Sequence, residues 1–303
     1  MGWNQTIDGY CITSRNRKRK SKNSMIVSCK RAKFMAKYQR QNFSIPDSVI
    51  FYIAKNPKTA ELYLKMVKTC KYFFVKNPII IIPVLHANCG KWRSGYLPLN
   101  LTKYDSRYWI TDSIYASAFE FVDKNIFSPI IPKLYQCDAE SLFFSDQIIS
   151  YHDLSLLISS AELISFTNVV VKYADCSDVP LEDILAIAAN AKYVSATKPT
   201  ITSKTMKELT KLPNFMKLVY FTLYNLSEVF DIDEFYGYMK KISHTKFFLA
   251  FDEQISEGYM NRLETIVDEI LETVQFNYKP PVINFTALHR EKFEQLRQIC
   301  NSY

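Results

Sequence analysis

The sequence predicts an α/β protein: a small N-terminal helical unit followed by an irregular solenoid of β-α units. Three observations lead there. From about residue 130 onward, short β-rich segments alternate with segments of helical period. Successive β segments are spaced by between 22 and 30 residues, close to the period of stacked repeat units. Ahead of them, residues 43–76 place apolar side chains at helical spacing, interrupted by Asn56-Pro57 and ended by Asn77-Pro78.

The chain has 303 residues, 48% apolar and 22% charged, enough for one or two domains with proper cores. It holds only 6 glycines, and it has no glycine-rich dinucleotide or P-loop string, which counts against phosphate-cradling folds. The net charge of +8 is uneven. Residues 1–40 carry eleven Lys or Arg and one acid, a net of +10, which leaves −2 for the rest. Residues 1–42 therefore read as a flexible basic arm. Its densest run is Arg15, Arg17, Lys18, Arg19, Lys20 and Lys22, which reads as a localisation signal for an import receptor or as a solvated tail. Nucleic acid is a weaker expectation, because the body is slightly acidic and carries no groove-reading motif.

The first 24 residues lack an apolar core of the secretory kind. The longest apolar run, Ile79–Leu85, contains Pro83 and is too short to span a bilayer. The expected setting is intracellular, nuclear or cytoplasmic, with no membrane. The 7 cysteines are scattered and show no CxxC pairing, so reduced thiols are expected and a metal is not. His86, His152, His244 and His289 fall in no triad or metal string. Asp231-Ile232-Asp233-Glu234 reads as a helix start rather than a metal site. The chain is thus expected to be no enzyme, with no catalytic residues and no cofactor.

Taken in order, Ser44-Ile45-Pro46-Asp47 has the form of a helix start, with a hydroxyl, a proline and an acid in sequence. Val49, Ile50 and Ile53 make its apolar face. Thr59 can cap a second helix running to Asn77, with Leu62, Met66, Cys70 and Phe73 on one stripe and Tyr63, Leu64, Val67 and Phe74 off it. A helix apolar on more than one side buries both sides, in its own unit or against a partner. On the stripe, Cys70 reads as packing rather than as a nucleophile. Residues 43–95 make up this unit, and 86–110 read as the connection out of it. Tyr104, Tyr108 and Trp109 then serve as a recognition surface or as a cap on the next core.

In residues 96–303 the expected strands are Ser141–Phe144, Leu163–Phe166, Tyr193–Ala196, Val219–Tyr224 and Lys246–Phe251. The expected helices are 152–160, 181–189, 203–212, 232–241 and 257–273. Parallel strands joined by helices need about this length per unit. A period in the twenties favours a leucine-rich-repeat-like solenoid, and a compact α/β sandwich is the competing fold because the leucine and asparagine consensus of a regular repeat is absent. A last helix, Leu288–Ile299, caps the stack, with Phe293, Leu296 and Cys300 on one side.

Residues 43–76 resemble an F-box in a divergent form. Ile45-Pro46 takes the place of its opening Leu-Pro, Val49, Ile50 and Ile53 its aliphatic positions, and Glu61-Leu62 the acid-leucine pair of its next helix. Thr69-Cys70-Lys71 with Phe73 takes its closing element, 25 positions after Ile45. Ser48, Pro57 and Thr69 depart from the pattern. F-box proteins commonly place a repeat domain after the F-box, in the order seen here. The resemblance implies docking to a Skp1-like adaptor through Ile45, Pro46, Val49, Ile50, Ile53, Leu62, Met66, Cys70 and Phe73, with Lys71 at the rim. The repeat domain would hold an unknown target protein. The alternative for 43–76 is an internal helical cap. The alternative function is a nuclear scaffold using the basic arm.

Overall fold

The structure, a computed structural model, describes residues 43–100 and 105–303. The basic arm, with Arg15 to Lys22, and Tyr104 lie outside the described residues. The chain divides between Asn77 and Pro78 into two compact units, whereas the sequence placed the boundary after residue 95. The difference arises because Ile79–Asn88 is a strand of the following sheet rather than part of the helical unit.

The first unit holds α1 (Asp47–Lys55), α2 (Ala60–Thr69) and α3 (Lys71–Lys76). The α1 helix begins directly after Pro46, whose carbonyl accepts from the amides of Val49 and Ile50. No side chain caps it, so Ser44 is not the cap the sequence suggested. For α2 the expected cap is present, with Thr59 Oγ1 accepting from Leu62 N at 3.1 Å. The expected single helix to Asn77 is broken at Cys70, whose φ of −148° and ψ of 126° are extended. Cys70 ends α2 and starts α3, and its Sγ accepts from Tyr72 N at 3.4 Å. Ala54, Met66 and Phe73 form the small core, with Val67, Cys70 and Tyr72 packed on it.

The second unit is built on β1 (Ile79–Asn88), β2 (Lys91–Ser94), β3 (Leu97–Pro98), β4 (Arg107–Ser117), β5 (Leu134–Cys137) and β6 (Ser141–Ser145). There follow β7 (Ile148–Ser150), α4 (Tyr151–Ile158), β8 (Leu163–Thr167), β9 (Val170–Lys172), α5 (Leu181–Ile187), β10 (Tyr193–Thr197) and α6 (Thr205–Leu209). The last elements are β11 (Tyr220–Leu226), α7 (Ile232–Met239), β12 (Lys246–Phe251), α8 (Glu257–Glu272), β13 (Val282–Asn284) and α9 (Arg290–Ser302). All five expected strands and all six expected helices are present within a few residues of their expected ends. The expected loop at 86–110 is instead largely β-structure, and Tyr108 and Trp109 are buried inside β4 rather than exposed as a surface.

The large sheet runs β13-β12-β11-β10-β8-β6-β4-β1-β2-β3, with β5 on β4. From β1 to β13 every neighbouring pair along this path is parallel. From β1 through β4 to β13 sequence order and spatial order run the same way; the direction reverses at β1, where β2 and β3 add antiparallel on its other side. Two buried rows run across the strands. One is Leu85, Ile114, Leu142, Ile164, Val194, Phe221 and Phe247; the other is Ala87, Ala116, Phe144, Phe166, Ala196, Leu223, Leu249 and Ile283. They share one core with Leu154 and Leu157 of α4, Leu185 of α5, Met206 of α6, Phe235 of α7 and Ile266 of α8. The helices therefore cover one face of the sheet. Asp146, Asn168, Lys198 and Asn225 turn the chain at or near strand ends with φ between 52° and 55°, a left-handed conformation that Asn and Asp adopt more readily than most residues.

Candidate docking surfaces

Two surfaces stand out, one in each unit. In the first, the sequence-predicted partner residues divide. Ile45, Val49, Ile53 and Leu62 are 42%, 45%, 36% and 42% exposed, as large apolar side chains rarely are in such a group. Phe51 and Tyr52 add to them, and Pro46 and Lys71 are also exposed. Ile50, Met66 and Phe73 are instead buried, and Cys70 is half-buried. The reason is the helical phase. Ile50 and Ala54 lie on the inner side of α1, four residues apart, while Val49 and Ile53 lie on the outer side with the same spacing. Met66 and Phe73 are core residues of this unit, so any part they take in docking is to hold the exposed ones in place.

The second surface is the sheet face opposite the helices. Three rows of side chains cross it in register. The first is Ser113, Ser141, Leu163, Tyr193, Tyr220 and Lys246. The second is His86, Tyr115, Phe143, Ser165, Ser195, Thr222 and Phe248. The third is Ser117, Ser145, Thr167, Thr197 and Tyr224. All are half-buried or exposed. Because parallel neighbours keep equal register, like side chains meet. Tyr115 stacks on Phe143 at 4.6 Å and 3°, His86 on Tyr115 at 5.3 Å, and Tyr193 on Tyr220 at 5.6 Å. Rigid tyrosines interspersed with small hydroxyls resemble the residue mix of protein-binding paratopes.

At the β12–β13 end this face is bounded by α9, which packs on β13 and α8. Leu296 and Cys300 are buried there and Phe293 is half-buried. A pocket of about 290 Å³ lies along this boundary, lined by Tyr220, Thr222, Tyr224, Lys246, Phe247, Phe248 and Val282 of the sheet and by Arg297, Cys300 and Asn301 of α9. Lys246 Nζ donates to the Cys300 carbonyl at 3.2 Å. The Cys300 thiol is pushed up by burial, against the pull of Lys246 and Lys279. Burial thus disfavours the thiolate form of Cys300.

Sequence reading missed this face, although its signal is plain. In S-L-F-F-S, L-I-S-F-T, Y-V-S-A-T and Y-F-T-L-Y the buried members alternate with hydroxyls and rings at period two.

Asp231 Oδ1 accepts from Glu234 N at 2.9 Å as the start of α7, so the acidic run is a helix cap. Among the described residues, no three His, Cys, Asp or Glu converge as metal ligands. Among them too, no helix is long and apolar enough to cross a membrane. A comparison with known proteins found no family model that matches the chain and no curated protein that matches it.

Proposed function

We propose that the chain is a substrate-recognition adaptor of a Skp1-cullin-type ubiquitin ligase. The N-terminal helices dock to a Skp1-like adaptor, and an irregular leucine-rich-repeat-like solenoid holds a target protein. The observation that carries this reading is the outward set Ile45, Val49, Ile53 and Leu62, at the positions where the F-box resemblance calls for contact residues. A purely internal cap would bury them. The solenoid reading is supported by the strand order, in which each β-α unit adds beside the one before it. In this role the chain does no chemistry. It raises the local concentration of target lysines near a ubiquitin-charged enzyme.

The test is retention of the full chain on immobilised Skp1, compared with Ile45→Asp and Val49→Asp. Both side chains are exposed, so the variants keep the helical circular dichroism of the wild type. Each is expected to cost about 2 kcal/mol of binding, the scale of an interface hot spot. If wild type is not retained where an authentic F-box protein is, the reading fails.

A further inference from the structure

The three rows of the open face carry hydroxyls, rings and aliphatic groups, and none of their members is a carboxylate. Their one Lys or Arg is Lys246, at the end of the first row. It lines the pocket beside α9, and Arg297 lines the same pocket from the helix. Neither cation is tightly neutralised. Lys246 Nζ meets a backbone carbonyl, and Arg297 Nη1 stands 3.7 Å from Glu294 Oε2. The remaining walls are largely aromatic, from Tyr220, Tyr224 and Phe248. Positive charge set among rings fits a carboxylate joined to an apolar neighbour, because the charge is met by the cations and the apolar part covers the rings.

We infer that this pocket receives a Glu or Asp side chain of an acidic segment in a partner protein, whose adjacent apolar residue lies against Tyr224 and Phe248. The inference rests on the adaptor role proposed above, which makes a protein the ligand. Single-stranded RNA would also stack on rings, but it needs cations along its whole track, and the rows beyond Lys246 supply none.

The experiment selects random twelve-residue peptides, displayed on phage, against the full chain. Enriched peptides are expected to carry Asp or Glu beside an aromatic or aliphatic residue. Lys246→Met and Arg297→Gln are each expected to weaken a synthetic enriched peptide about tenfold, a step of roughly one decade in Kd. Changing the peptide's acid to its amide costs the same on wild type and nothing further on the double variant, as a direct contact requires. Selection without acidic enrichment overturns the inference. So does equal binding by wild type and both variants, or a preference for an oligouridine RNA that is lost in Tyr220→Ser. Skp1 retention, measured on the same preparations, separates the two readings. Its survival while peptide selection fails refutes the pocket alone. Its loss while acidic selection persists refutes the adaptor role and leaves the pocket standing.

Discussion

Asn77 ties together three parts of the helical unit. Its amide donates to the carbonyls of Ala54 and Lys55 at 3.0 and 3.3 Å, at the end of α1 where helix carbonyls lack partners. Its own carbonyl accepts the Tyr63 hydroxyl at 2.6 Å. Asn77→Ala removes the amide from a fully buried site and is expected to cost about 1–3 kcal/mol, the penalty of stranding buried acceptors. Faster amide exchange confined to residues 47–76 would show it. A second residue sets a pH dependence. Burial pushes the Cys137 thiol from its ordinary range up to about 11. Between pH 8.5 and 11 the unfolded chain gives up this proton and the native one keeps it. Stability therefore falls as pH rises, by about 2–3 kcal/mol over the window. Burial raises the Cys300 thiol too, with the same sign. Urea midpoints at pH 8 and pH 10 check this, and the slope should flatten in Cys137→Ala and flatten further when Cys300→Ala is added.

At the scale of the element, strand ends hold the most informative residues. Asn168 is left-handed at φ 54°, and its side chain donates to Asp146 Oδ1 at 3.1 Å. Asn168→Val puts a β-branched residue where its Cβ clashes, at about 1–3 kcal/mol. Lys198 adopts the same conformation at φ 55°, and Lys198→Asn should gain up to about 1 kcal/mol because Asn tolerates it better. Opposite shifts of the urea midpoint distinguish these from generic loop effects. The same elements explain what could be read in advance. The five middle strands are short β-rich segments bounded by helices of 3.6 period, so pattern alone marks them. The β1 strand is hard to read from sequence, because Ile79–Leu85 is apolar without alternation and contains Pro83. A proline lacks the amide a central ladder needs. The structure resolves the conflict with a bulge, since the β1–β4 register shifts between Ile82 and Val84. Gly90, Gly95 and Pro98 give residues 86–110 the composition of a loop, which hides the strand pairing of β1 with β4. The apolar residues of α1 are legible in the sequence as a set but not by side. Ile50 and Val49 are adjacent in sequence, and only the packing of the unit decided which turned inward.

For the sheet-bearing unit as a whole, the two ends are treated differently. At one end β2 and β3 continue the sheet as short antiparallel strands. At the other, α9 covers β13 and buries Leu296. Removing residues 290–303 would bare a parallel edge and the apolar patch beside it, and such edges recruit other chains. The shortened protein is expected to elute as soluble aggregates in size-exclusion chromatography, where the full chain gives a single peak. The equal register of the strands has a metrical consequence. Neighbouring strands lie about 4.8 Å apart, while an extended peptide advances about 3.3 Å per residue. A partner segment crossing the open face at right angles cannot give one residue to each strand. It comes back into step after about three residues and two strands, near 10 Å. For such a segment the face would act as a vernier, with the phase of every other contact following from the side chain placed at Lys246.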